Sequence, residues 1–101
     1  FDIITSIDDF PELILNYRLL QNYPNPFNPS TTIGYEVKEE GLVKLKVYNI
    51  LGSEIADLVN STQEAGYHFI EFNASNLPSG VYIYNLQVNG YSASQKMMLL
   101  K

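Results

Sequence analysis

From Thr31 onward, apolar and polar side chains alternate along most of the chain. Over Thr32 to Val37, the residues Ile33, Tyr35 and Val37 share one face, with Thr32 and Glu36 on the other. Over Leu42 to Asn49, Val43, Leu45 and Val47 fall inward and Lys44 and Lys46 toward water. Tyr67 to Phe72 groups Ile70 and Phe72 with His68, and Val81 to Val88 aligns Tyr82, Tyr84, Leu86 and Val88. A period of two is strand geometry, because successive side chains point to opposite faces, and a single wet face marks antiparallel pairing. Further strands are expected near Leu13–Leu20, Glu54–Val59 and Tyr91–Leu100, which makes seven. The first of these is ambiguous: its apolar run is too brief for periodicity to separate strand from short helix.

Turn residues fall between these stretches: Glu39-Glu40-Gly41, Leu51-Gly52, Ala65-Gly66, Ser79-Gly80 and Asn89-Gly90. Asn89-Gly90 suits a type I′ hairpin, since both residues tolerate positive φ. Short strands spaced by turns predict an all-β, seven-stranded antiparallel sandwich of the immunoglobulin or fibronectin kind. Tyr82, just after Leu77-Pro78-Ser79-Gly80-Val81, is the candidate for a tyrosine corner, whose hydroxyl bonds back to the chain just upstream. Tyr23-Pro24-Asn25-Pro26-Phe27-Asn28-Pro29 is different. Its prolines lack backbone donors and fix φ, so it is expected to be stiff, extended and turn-bearing, pinned to the sandwich by Tyr23 and Phe27.

With 101 residues the chain makes one domain. Asp2, Asp8, Asp9 and Glu12 open it with no cation among them, so residues 1–12 are expected to be a solvated linker from an upstream domain, with the folded unit over 13–101. The start at Phe1, without an initiator Met or signal peptide, reads as a piece of a longer exported polypeptide. The remaining seven acids nearly balance the six bases, which gives no basic patch for nucleic acid. No apolar stretch approaches the roughly 18 to 20 residues of a membrane helix.

Chemistry is sparse. Cysteine is absent, which removes thiol catalysis, disulfides and cysteine-type zinc sites. His68 is the only imidazole and reads as a half-buried structural residue. Glu54 and Asp57, three apart on an expected strand, should face opposite ways, and Glu39 and Glu40 share a solvated turn. No nucleophile elbow, phosphate loop or calcium loop is present. No catalytic, metal or cofactor site is expected. The tail Lys96-Met97-Met98-Leu99-Leu100-Lys101 remains, with Met97 and Leu99 on one face and Met98 and Leu100 on the other. Apolar residues on both faces imply full burial or a patch for a partner.

Leu20 through Pro29, followed by Thr32, Ile33 and Tyr35, resembles the opening of the type A C-terminal sorting domains of the type IX secretion system. The later blocks are similar in order: Val47-Tyr48-Asn49 with Leu51-Gly52, Ala65-Gly66-Tyr67-His68, Leu77 through Tyr82, and Lys96-Met97 with Leu99-Leu100-Lys101. The resemblance covers roughly residues 17–101. Departures are Lys38 where Pro is usual, Gln95 where a second cation is common, and Ile83 where Phe is frequent. The resemblance implies a non-catalytic address label on a covalently attached cargo, bound for the cell surface or medium through the periplasm of a Gram-negative bacterium. The implied partners are the outer-membrane secretion machinery and a sortase-like peptidase that cuts upstream of the sandwich, within residues 1–16. Gly80-x-Tyr82 and Lys96–Lys101 match the family's recognition motifs, and Met98, Leu100 and Lys101 are the residues expected to face the receptor.

Two other readings compete. The eight tyrosines suit a carbohydrate-binding module if they form a planar exposed row. A structural module would instead pair with a second chain, as a weak homodimer through an edge strand near Leu13–Leu20 or through the terminal strand.

Overall fold

The computed structural model describes residues 16–101. The expected linker over 1–12 and the onset of a strand at Leu13 lie outside the described residues. The elements are β1 (Arg18–Leu19), β2 (Ser30–Val37), β3 (Gly41–Tyr48), β4 (Glu54–Gln63), β5 (Gly66–Asn73), β6 (Gly80–Val88) and β7 (Tyr91–Leu99). They form two antiparallel sheets, β1-β2-β5 and β4-β3-β6-β7, stacked as a sandwich. The chain crosses between sheets after β2, after β4 and after β5, the arrangement of immunoglobulin-like domains.

The alternating residues fill the space between the sheets. Ile33, Tyr35 and Val37 meet Val43, Leu45 and Val47, with Tyr82, Tyr84, Leu86 and Val88 beside them, all buried. Burying one such aliphatic side chain stabilises the fold by roughly 1.5–3 kcal/mol relative to leaving it exposed. At the hairpin between β6 and β7, Asn89 has φ 49° and Gly90 φ 82°, the paired positive values of a type I′ turn. His68 is half-buried as expected; its ring stacks on Tyr35 at 5.3 Å, and its Nε2 lies 2.7 Å from the Glu64 carbonyl.

Three expectations need correction. The Tyr23 ring does not pin the proline segment: it is 81% exposed, whereas Phe27 is 2% exposed and is the aromatic that anchors it. The Tyr23 backbone does pair with Thr32, so the segment is held there by main chain and not by the ring. Glu54 and Asp57 do not face opposite ways. β4 carries two bulges, with Ile55 and Leu58 as the unpaired residues, so Glu54 stands opposite Tyr48 and Asp57 opposite Lys46. Tyr48 and Lys46 share the outer face, and an extra residue on one strand resets which side follows. Glu54 pairs with Lys46 at 3.2 Å. That hydrogen bond and charge hold the ammonium above its ordinary pKa, with Asp57 adding to them. The third correction concerns Glu36, which lies on the outer face as expected but is buried, beneath the guanidinium of Arg18 at 3.2 Å.

Candidate recognition surface

β7 is held along both edges. On one side it pairs with β6 from Gly80↔Leu99 to Val88↔Tyr91. On the other side residues 17–27 run alongside as a strap. Tyr17 stacks on Tyr91 at 5.4 Å. Gln95 Nε2 donates to the Leu19 carbonyl (3.2 Å), and Gln21 Nε2 donates to the Lys96 carbonyl (2.8 Å). The Met98 N–H donates to Asn25 Oδ1 (3.0 Å), and the Phe27 N–H donates to the Met98 carbonyl (2.9 Å). The Leu100 N–H donates to the Phe27 carbonyl (3.0 Å). The Phe27 ring continues inward to Phe72 of β5, centroid to centroid 6.3 Å, so one residue ties the strap to both sheets.

The strap is itself fastened from below. The buried Tyr84 hydroxyl donates to the Leu20 carbonyl (2.6 Å) and accepts from the Asn22 N–H (2.8 Å). Burial pushes this phenol up to about 12, with the Asn22 bond opposing. Asn22, also buried, donates through its amide to Thr31 Oγ1 (3.0 Å) and the Pro24 carbonyl (3.2 Å), and Thr31 Oγ1 donates to the same carbonyl (2.9 Å). Prolines leave carbonyls without neighbouring donors, and these side chains supply them. Gln21, Asn22 and Asn25 were not singled out in the sequence. The signal for them was there: amide side chains interleaved with prolines, in a segment that lacks its own backbone donors.

The clamp fixes which tail side chains show. Met97 and Leu99 are buried, while Met98 is 39% and Leu100 51% exposed. Met98 stands beside exposed Val81 on β6, and Lys96 beside Ile83. A shallow hollow of about 150 Å³ opens between Asn25, Val81, Lys96 and Met98. The Lys101 N–H donates to Ser79 Oγ (3.0 Å) and its Nζ to the Ser75 carbonyl (2.6 Å), which folds the last residue onto the loop before β6. In that loop the Tyr82 hydroxyl donates to the Pro78 carbonyl at 2.6 Å, which makes the tyrosine corner. Gly80, which follows, has φ 155°, a value side chains rarely adopt. Of the six candidate residues, Lys96, Met98, Leu100 and Lys101 are exposed together at one end of the sandwich. Tyr82 is buried under them with Gly80 at the bend, so these two position the surface.

A family model described as the secretion system C-terminal sorting domain matches residues 21–100, from the middle of the strap to the end of the clamped tail. The chain belongs to this family. It is a C-terminal sorting domain of the type IX secretion system, a non-catalytic signal for export to the cell surface or medium. No curated protein matches the chain. In this sorting domain the blocks that carried the resemblance occupy definite places: the proline segment is the strap, Gly80–Tyr82 the corner, and Lys96–Lys101 the clamped tail.

Proposed function

We propose that this sorting domain carries an upstream cargo out of the periplasm of a Gram-negative bacterium, and that the outer-membrane machinery reads it at Lys96, Met98, Leu100 and Lys101. Gly80 and Tyr82 hold that surface in place. A cargo that must be recognised while folded needs an epitope independent of its own shape, and a clamped strand on a small sandwich meets that need. One observation carries the reading: Met98 on β7 and Leu100 just past its end stand exposed, while the alternate residues Met97 and Leu99 are locked in the core. Exposed apolar side chains flanked by lysines suit a partner with an apolar seat and an acidic rim. A sortase-like peptidase then cuts within residues 1–16, upstream of the strap.

Deleting Lys96–Lys101 removes core residues along with exposed ones, so loss of export alone is a blunt result. The sharper test fuses residues 13–101 to a reporter and carries Met98→Ser with Leu100→Ser. Surface delivery should fall at least tenfold while thermal stability stays unchanged. Delivery equal to the unsubstituted fusion overturns the proposal.

A further inference from the structure

The edges of the two sheets are not treated alike. β4 is interrupted by bulges at Ile55 and Leu58, and β7 is covered by the strap. Bulges and covering segments are what natural sheets use to prevent strand addition. β5 has neither. It pairs with β2 over eight residues, Gly66 to Asn73, with no register shift, and among the described residues nothing pairs with its far side.

The direction of its free groups follows from β2. Gly34 and Thr32 turn their carbonyls toward Leu20 and Tyr23, so the odd-numbered residues of β2 bond to β5. Their partners in β5 are Gly66, His68, Ile70 and Phe72. The N–H and C=O groups of Tyr67, Phe69 and Glu71 therefore point away from the sheet. Their side chains share the outer face, where Phe69 is 67% exposed and Tyr67 is also exposed. The Phe69 ring lies over Gly34, where an added Cβ would sit 2.9 Å from the ring and 3.1 Å from Leu20. The bare glycine lets Leu20 and Phe69 form one apolar stripe across the sheet.

We propose that β5 pairs antiparallel with β5 of a second copy of this chain, Phe69 against Phe69, joining two three-stranded sheets into one. In this register Tyr67 stands opposite Glu71 of the second copy and Glu71 opposite its Tyr67. Each of these facing residues has outward backbone groups, so each pair exchanges both hydrogen bonds. No like charges meet, and directly opposed aromatics stabilise a strand pair. A two-fold axis at Phe69 makes the contact self-complementary, as a closed dimer requires. It also continues the Leu20–Phe69 stripe into its own copy. An edge contact of this extent lies below about 1,200 Å² in total, so the dimer is weak, dissociating in the range of roughly 10 µM to 1 mM.

Sedimentation velocity on the whole chain, across concentrations up to about 1 mM, should show a reversible monomer–dimer equilibrium. Phe69→Lys sets two ammonium groups opposite each other and should weaken dimerisation at least tenfold; the thermal midpoint at low concentration should fall only slightly, by the lost ring contact over Gly34. Because the chain has no cysteine, Phe69→Cys gives a clean second readout. Its Cα atoms would face at about 5.5 Å, within disulfide reach, so mild oxidation should yield a cross-linked dimer. Gln87→Cys, on the outer face of the other sheet, should not. A chain that stays monomeric at the highest concentration overturns the proposal. So does a dimer that survives Phe69→Lys, or cross-linking that is equal at both cysteine positions.

Discussion

Along β7, the outward backbone groups of Lys96, Met98 and Leu100 are taken by Gln21, Asn25 and Phe27. Along β5, those of Tyr67, Phe69 and Glu71 meet no other strand among the described residues. Both margins belong to strands of eight or nine residues with one buried face, so strand formation itself does not separate them. The difference lies in what the sequence places beside each. β7 has a segment rich in amides and prolines, too poor in donors to make sheet of its own and long enough to lie along the strand. Among the described residues, β5 has beside its free margin only a tight turn to β4. Order at a sheet margin is thus a property of the neighbouring segment more than of the strand, and here it is concentrated along the tail.

The largest effect should come from opening the strap. Phe27→Ala removes the ring that joins the strap to Phe72 and leaves a void between the sheets. The expected loss is about 3–5 kcal/mol by denaturant titration. Hydrogen exchange should show the Met98 and Leu100 amides losing protection, so that the β7 margin behaves like that of β5. If those two amides stay protected, the strap is not what holds them.

Alkaline pH should loosen the same margin more gently. The Tyr84 phenol is raised to about 12 from an ordinary value of 10.0, so the unfolded chain releases this proton first. Stability is therefore fully present below pH 10 and declines as pH rises toward 12, by on the order of 2 kcal/mol. Burial also raises the Tyr35 phenol, which adds a loss of the same sign. Tyr84→Phe should flatten this decline when unfolding midpoints are compared across that window.

The smallest effect belongs to the bare margin. Glu71→Ser alters an exposed side chain that makes no side-chain hydrogen bond or ion pair among the described residues, and should shift monomer stability by no more than about 0.5 kcal/mol. A larger loss measured in dilute solution would mean that β5 has support beyond its pairing with β2.

Much of this contrast was legible in the chain. The period of two identified the inward residues of β2, β3, β5 and β6, because a half-buried strand has little choice about which face goes in. Met97/Leu99 against Met98/Leu100 followed the same rule. The bulges of β4 were not legible: Ile55 and Leu58 look like ordinary strand residues, and only pairing with β3 shows that they are extra. Nor could the proline segment say which aromatic it buries. With no repeating side-chain period there, Tyr23 and Phe27 look alike, and the choice is made by reach to Phe72. The polar fastenings of Asn22 and Thr31 to the Pro24 carbonyl depend on a fold that must already exist. For the candidate surface, alternation split the tail into two faces but left open whether both were buried, and the clamp that gives the exposed face one position was not readable.

Asn25 and Met98 lie 73 positions apart, yet each completes the other's surroundings. A nascent polypeptide that stops before β7 leaves β6 paired with β3 alone and the strap without the strand it fastens to. An ordered tail then reports that synthesis has run through the whole domain. The clamp doubles as a completeness check, built from one phenylalanine and a few amides.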